Sequence, residues 1–297
     1  MPELPEVETV VRDLRPCLVG RRLASVKQTS RHALRLRWRP AWNAASAGRR
    51  VGGVERRGKW ILIRLDDDKT LVVHLGMTGQ LTVGPAEAPI ADHTHLIFSL
   101  DGGERELRFR DIRRFGSVTL FDGPQVLDDF FVRSGLGPEP FDLPKKYWRE
   151  RLRATRRNLK AVLLDQGVVA GVGNIYADES LFQARLHPAR PARDLDDAES
   201  ERLRRAVAAV LRRAIERRGS SIRDYVGGSG LRGEYQNEFR VYGRTGEPCP
   251  RCGAAIACLR LAGRSSHFCP ICQKRQTTKH TKHTKKRQKQ KNKSAVD

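Results

Sequence analysis

The chain has no apolar run approaching the roughly 18 residues that a membrane-spanning helix needs. Its first residues, MPELPEVETVVRDLRP, lack the apolar core of a secretory leader. A soluble, intracellular chain is therefore expected. Cysteine is scarce: there are six in 297 residues, four of them in two CxxC pairs, with Cys17 and Cys258 left over. That usage speaks against a disulfide framework and for a metal site. Acidic residues are also short, 34 against 57 Lys and Arg, for a net charge of +23. An excess of this size points to an anionic partner, either nucleic acid or an anionic membrane surface. Lysine is the rarer base. Before residue 274 only six of the 47 basic residues are lysine.

The remaining composition is that of a folded protein. Hydrophobic residues make up 39%, with 26 glycines beside them, and the length suggests about two domains. The charge is unevenly spread. Residues 274–297 hold ten Lys and Arg against one acid, Asp297, so this tail carries +9 and the rest of the chain +14. The tail is low-complexity, repeats KHT and cannot form a core.

Val7, Val10, Val11 and Leu14 at i, i+3, i+4 and i+7 predict a helix over 6–14, started by Pro5 and ended by Pro16 and Gly20. From about 22 to 121 short runs read as strands: WILIRL (60–65), TLVVHL (70–75), QLTV (80–83), HLIFSL (95–100), ELRFR (106–110) and SVTLF (117–121). Their number and spacing suggest an antiparallel sandwich. The Gly- and Pro-rich stretch 122–144 reads as a linker. Helical periodicity follows at Leu159–Gln166, Ile175–Ala184 and Glu199–Arg218. GGSGLRGEY (227–235) reads as a flexible loop, and 240–273 as a Cys-rich module.

Cys249 and Cys252, then sixteen residues, then Cys269 and Cys272 form the strongest local signal. Two CxxC turns close a tetrahedral zinc site with no open position, so the metal is structural. Arg264 lies in the loop between the pairs, placed either to meet a phosphate or to stand in solvent. At the other end, removal of Met1 before a small residue leaves Pro2 with a free secondary amine. Such an amine titrates near ~8 and is partly neutral at pH 7. Attack on a sugar C1′ by a secondary amine gives an iminium that cannot lose its charge by N-deprotonation. Glu3 and Glu6 are adjacent acid–base candidates. PELPE is equally a helix cap with dipole-matched acids. Lys59 opens a strong strand in a chain that writes arginine almost everywhere, and lysine, unlike arginine, exchanges a proton at reachable pKa. A plain strand-edge lysine is the other reading. Gly171-Val-Gly173-Asn174 joins two helical segments, as a simple turn or as a phosphate cradle. Met77, Arg113 and Phe115 lie on turns before strands, where they fill either the core or a hole in a base stack.

Together and in this order, these segments resemble the bacterial formamidopyrimidine-DNA glycosylases. The segments are PELPEVET, RRGKW, HLGMTG, HTHL, DIRRFG, LGPEP, LKAVLLDQGVVAGVGNIYADESLF, VYGRTGEPCPRCG and GRSSHFCPICQKRQ, and they cover about residues 2–276. The resemblance implies an α+β multidomain fold. Its parts are an N-terminal antiparallel β-sandwich with a leading helix (2–131), a helical domain with a helix-two-turns-helix (132–239) and a zinc-finger β-hairpin (240–276), followed by the basic tail (277–297). It implies base excision repair by a bifunctional N-glycosyl hydrolase and AP lyase. That enzyme removes 8-oxoguanine and formamidopyrimidines from duplex DNA and then cuts the strand by β,δ-elimination. Pro2 matches the Schiff-base nucleophile, Glu3 the general acid/base, Lys59 the lysine of β-elimination and Arg264 the arginine of phosphate contact and δ-elimination. His93, Arg113, Arg156 and Asn174 match DNA contacts. Met77, Arg113 and Phe115 match the side chains that fill the void left by the flipped nucleotide. The loop around 220–235 matches one that covers the lesion. One structural zinc, a damaged duplex as partner, a monomer, and a cytoplasmic, nucleoid-associated location are expected. The sister class excising oxidised pyrimidines typically begins PEGPE, whereas this chain has Leu4. A non-catalytic zinc-ribbon DNA-binding paralogue would bind without covalent trapping.

Overall fold

The computed structural model describes residues 2–29, 34–221 and 232–275. Helix α1 (Leu4–Leu18) buries Val7, Val10, Val11 and Leu14 as the periodicity predicts. It runs on through Pro16, contrary to the expected end. Proline in the last turn forfeits only its own N–H, while fully buried Leu18 holds the turn to the core and Val19 N closes on Arg15 O at 3.1 Å.

Two four-stranded antiparallel sheets follow. One has the order β1 (Leu23–Gln28), β6 (Thr94–Leu100), β7 (Arg105–Asp111), β5 (Gly79–Pro85). The other has β2 (Val51–Arg57), β3 (Trp60–Leu65), β4 (Lys69–His74), β8 (Ser117–Asp122). Their inner faces enclose one core with the apolar side of α1, including Val54, Ile61, Leu71, Leu96, Phe98 and Phe109. The short helix α2 (Ala41–Ser46), which carries no sequence periodicity, lies after β1 and lends Trp42 and Ala45 to this core. β3 and β4 are buried on both faces, because a helix covers their outer side. That helix, α3 (Pro124–Arg133), lies inside the stretch expected to be linker. Gly123, at φ +97°, and Pro124 start it, and Leu127 and Phe131 pack on Leu62 and Val72. The Gly-Pro pair is thus a helix start.

The second core belongs to α4 (Lys145–Arg153), α5 (Leu159–Leu164), α6 (Asn174–Gln183) and α7 (Asp197–Glu216). Trp148, Leu163, Tyr176, Leu203 and Leu211 are among its members. A reciprocal cap starts α7: Glu199 N donates to Asp196 Oδ1 at 2.7 Å and Asp196 N to Glu199 Oε2 at 3.1 Å. Most of the expected loop over 220–235 lies outside the described residues. Its last residue, Tyr235, is buried and opens a 3-10 turn, Tyr235–Glu238. The C-terminal module is a hairpin of β9 (Ala257–Leu261) and β10 (Arg264–Phe268). Ala262 and Gly263 both have positive φ, as a two-residue type I′ turn requires. The tail from 276 onward also lies outside the described residues.

Candidate active site at the N-terminus

The N-terminus is threaded between the two cores. Leu4 opens α1, yet its fully buried side chain belongs to the helical core, and Leu4 N donates to Gly171 O at 3.0 Å. Glycine is required on the other side of this contact. A Cβ on Gly171, already at φ +86°, would lie 2.5 Å from Leu4 Cδ1, and one on Gly173 would lie 2.3 Å from Glu3 Cδ. The GVGN segment is therefore a close-approach surface for the chain start. Gln166 braces it, donating to Val172 O at 2.8 Å and accepting from Gly171 N at 3.0 Å.

Pro2 and Glu3 are both buried. Glu3 sits at the N-terminus of α6, where Oε1 accepts from Ile175 N at 3.0 Å and Oε2 is 3.5 Å from Tyr176 N. A helix N-terminus favours a carboxylate there. Glu3 also caps α1, and its own N–H donates to Glu6 Oε2 at 2.8 Å. The cap reading of PELPE is thus realised, and it is Glu3 and Glu6, the acid–base candidates, that form the cap. Glu6 receives Ser220 N at 2.8 Å, Ser220 Oγ at 3.1 Å and the Tyr176 hydroxyl. These donors favour its ionised form. Burial and the neighbouring Glu3 charge outweigh them and raise its pKa to about 7.

Lys59 enters from the β2–β3 hairpin after Gly58, which has φ +58°. It is 7% exposed, and its Nζ donates to Val172 O at 3.0 Å. Burial lowers the ammonium pKa, while Glu3 and Glu6 pull the other way. One buried amine therefore faces two carboxyl groups beside Pro2. The amine feels both carboxyl groups electrostatically, and all three are buried away from bulk water.

A second group forms where the turns after β4 and β7 meet. Gly76 and Gly116 touch backbone to backbone, and a Cβ on Gly76 would lie 2.6 Å from Gly116 N. Asp111, fully buried, accepts from Thr78 Oγ1 at 2.6 Å and from Gly116 N at 2.7 Å, and Thr78 Oγ1 accepts from Arg113 N at 3.0 Å. The clamp presents Met77 and Phe115 at 40% and 46% exposure, with the Arg113 guanidinium 4.8 Å over the Phe115 ring. The core reading of Met77 and Phe115 is excluded. His93 is exposed at φ +65°, and Arg156 is exposed in the turn between α4 and α5.

Arg264 stands exposed at the hairpin tip, and no side-chain partner engages it among the described residues. The four cysteine sulfurs lie within 4.8 Å of one another, with Cys252 and Cys269 at 3.5 Å and Cys249 and Cys272 at 3.9 Å. Tetrahedral Zn–S bonds of about 2.3 Å put sulfurs about 3.8 Å apart, so the cradle fits one structural zinc. Backbone N–H groups of Arg251 and Cys272 point at two of the sulfurs. The hairpin is tied to the N-terminal site by residues that sequence reasoning passed over. Lys160 and Asp178 form a fully buried ion pair at 2.6 Å, Lys160 Nζ also donates to Asn174 O at 2.8 Å, and Asp178 Oδ2 accepts from His267 N at 2.9 Å. Lys160 was visible as one of the six rare lysines. Asn174 itself is half-buried at the first position of α6, its Oδ1 without a partner. Pro2, Glu3, Lys59 and Asn174 are thus brought together. Among the described residues no hydrogen bond or ion pair joins His93, Arg156 or Arg264 to them.

Comparison with known proteins agrees with this architecture. Three family models match: the formamidopyrimidine-DNA glycosylase N-terminal domain over 1–118, its H2TH domain over 136–226, and the zinc finger found in FPG and IleRS over 246–275. The formamidopyrimidine-DNA glycosylase of Moorella thermoacetica is 49% identical, covering 88% of this chain and 95% of its own length. That of Heliobacterium modesticaldum is 47% identical, covering 92% and 100%. Among solved structures, a Lactococcus lactis FPG mutant in complex with Fapy-dG-containing DNA is 38% identical. It covers 92% of this chain and 100% of its own, with a TM-score of 0.86. The wild-type Lactococcus protein with oxidised-pyrimidine-containing DNA is 37% identical over the same coverage, with a TM-score of 0.85. With three consecutive domain matches and near-half identity along the folded length, this chain belongs to the formamidopyrimidine-DNA glycosylase family.

Proposed function

We propose that the chain excises oxidised purines from duplex DNA and cleaves the strand at the resulting sugar, with Pro2 as nucleophile. The observation that carries this reading is the burial of Lys59 and Glu3 together beside Pro2. The Pro2 nitrogen attacks C1′ of an extruded nucleotide, the bond from C1′ to the base breaks, and the base leaves with the bonding pair and takes up a proton. Glu3 serves as general acid/base. The C1′–O4′ bond then breaks as the Pro2 nitrogen lone pair closes the C1′=N iminium and O4′ takes up a proton, and the iminium acidifies the C2′ proton. Its removal breaks the C3′–O bond, in the step assigned to Lys59, and a second elimination breaks the C5′–O bond, with Arg264 on the phosphate. Addition of water to the remaining iminium and release of the sugar fragment as an aldehyde return Pro2 to the free amine. His93, Arg113, Arg156 and Asn174 contact the duplex, while Met77, Arg113 and Phe115 fill the stack. We divide the chain into 2–131 (catalytic sandwich), 132–239 (helix-two-turns-helix), 240–276 (finger) and 277–297 (tail), acting as a nucleoid-associated monomer.

Borohydride added during reaction with a duplex carrying 8-oxoguanine tests the mechanism. A trapped adduct is expected, and its loss in Pro2→Gly. No adduct, or an unchanged yield in the variant, sinks it; intact mass shows whether Met1 is gone. The structure of the Lactococcus relative with an oxidised pyrimidine supports a secondary activity on that class. Duplexes with thymine glycol, run beside 8-oxoguanine, measure the preference.

A further inference from the structure

Two of the sequence segments, RRGKW and LGPEP, meet at the turn that carries Lys59. Glu139, between α3 and α4, reaches the β2–β3 hairpin one residue before the lysine. Its Oε1 accepts from Gly58 N at 2.6 Å and from Arg56 Nη1 at 2.9 Å, and its Oε2 lies 2.8 Å from the same guanidinium nitrogen. Arg56, its side chain only 9% exposed, donates in turn to Gly58 O at 3.1 Å and to Glu8 Oε2 of α1 at 3.0 Å. Both main-chain polar groups of Gly58 are thus held, the N–H by Glu139 and the carbonyl by Arg56.

The chain around Glu139 is itself fixed from the other side. Gly137 N donates to Gln166 O at 2.8 Å, and Ala170 N donates to Pro138 O at 3.0 Å. A Cβ on Gly137 would lie 2.8 Å from Gly167 O, and one on Gly58 would lie 3.3 Å from Ala170 Cβ and 3.5 Å from Leu136 Cδ1. The turn that holds this segment is the one whose Val172 O accepts from Lys59 Nζ. One unit therefore grips Lys59 at both ends, its side chain at Val172 and its main chain, through Gly58, at Glu139. Arg56 and Glu139 alone would serve to tie two loops together. The bond to Gly58 N is the part that fixes where the backbone of the amine sits.

We propose that Glu139, with Arg56, is a positioning residue for strand scission, setting the main chain that carries Lys59 and so the placement of the amine against the sugar. This rests on the role in elimination given to Lys59 above. Pro2 is placed independently, by Leu4 N on Gly171 O and by Glu3 on Ile175 N. The bonds of Gly137 and Pro138 are main-chain bonds and survive a change at Glu139. Loss of its carboxylate therefore falls on elimination and spares base release. A misplacement of about 1 Å is enough to cost as much as about a hundredfold.

The test uses the full chain carrying Glu139→Ala or Glu139→Gln. Release of 8-oxoguanine and borohydride trapping in a single turnover should stay within about threefold of wild type in both. Elimination at a preformed abasic site should fall by about thirtyfold in Glu139→Ala, and by about fivefold in Glu139→Gln, which keeps an acceptor for Gly58 N. Elimination needs the neutral amine, whose pKa burial lowers. A loosened hairpin admits water, so the midpoint of elimination rate against pH should move upward. A loss of stability alone lowers the rate without moving the midpoint. In a Lys59→Arg background, Glu139→Ala should cost nothing more. If the alanine variant melts too early to assay, Glu139→Gln carries the test with the same signs. Unchanged elimination, equal loss of base release and elimination, an unmoved midpoint, or additive loss in the double variant overturns the proposal. Wild-type elimination by Lys59→Arg instead removes the role of Lys59 itself, so the two failures are told apart.

Discussion

The Lys59 ammonium donates to the carbonyl of Val172 at 3.0 Å, joining a hairpin of the sandwich to the turn before α6 across 113 residues of sequence. This bond orients the amine, and burial lowers its pKa, so Lys59 is held where it can shed its proton. Lys59→Arg keeps the charge and the donor but cannot deprotonate. Base release by this variant is expected to stay within about tenfold, while strand scission falls by about a hundredfold or more. Product gels with and without alkaline treatment separate the two steps. Equal loss of both would show that Lys59 does not act as the base of elimination.

Glu6 gives a pH signature. Its carboxyl titrates near 4.5 in the unfolded chain and at about 7 in the folded one. Between these values the folded state holds a proton that the unfolded state has lost, so stability falls as pH rises, by about 3 kcal/mol in all. The contribution is fully present below pH 4.5 and gone above 7. Glu6→Gln should remove this slope from urea unfolding measured at pH 5, 6 and 7. A parallel slope in the variant would assign the proton elsewhere.

Gly173 is set against Glu3 so closely that a methyl group cannot enter without moving the chain start. Gly173→Ala is expected to cost about 1–3 kcal/mol by overpacking. Its larger effect falls on chemistry: a displaced Pro2 should cut single-turnover excision by about a hundredfold with far-UV circular dichroism unchanged. Activity within threefold of wild type would mean that Glu3 and Pro2 tolerate the shift.

The zinc module contributes only Val241, Cys249, Ile256 and Cys269 to a small apolar cluster that it shares with Phe182 of α6. Such a cluster cannot hold a hairpin without metal. Treatment with a mercurial and chelator is expected to release one zinc per chain and abolish duplex binding, while the sandwich keeps its tryptophan emission. An apo-protein that binds lesion duplex with unchanged affinity contradicts the role of Arg264 at the hairpin tip.

Six of the eight strands of the sandwich were legible because their alternation or apolar density is local, while β1 and β2, with few apolar residues in LASVKQ and VGGVERR, were not singled out; the zinc site was legible because CxxC spacing is itself geometry. α3 was missed because Gly123-Pro124 marks a turn and a helix start alike. The signal that decides between them lies in another segment: Leu62 and Val72 are apolar on the outward face of their strands and need a cover. Pro2, Glu3 and Lys59 could be singled out by residue chemistry, but their assembly rests on Leu4 packing into a core more than 150 residues downstream. Asp111 was not singled out, since its clamp joins two turns 33 residues apart.

The placement of Leu4 also orders events during synthesis. Gly171, against which its side chain and N–H lie, does not exist until some 170 residues have been made, roughly 10–30 s after the first peptide bond at ordinary elongation rates. Throughout that interval the first residues have no pocket to enter and stand open to a processing peptidase. Once α6 forms, Pro2 is enclosed. The fold thus sets a deadline for maturation, and a chain that keeps its initiator methionine past it closes around an amide at the residue proposed as nucleophile.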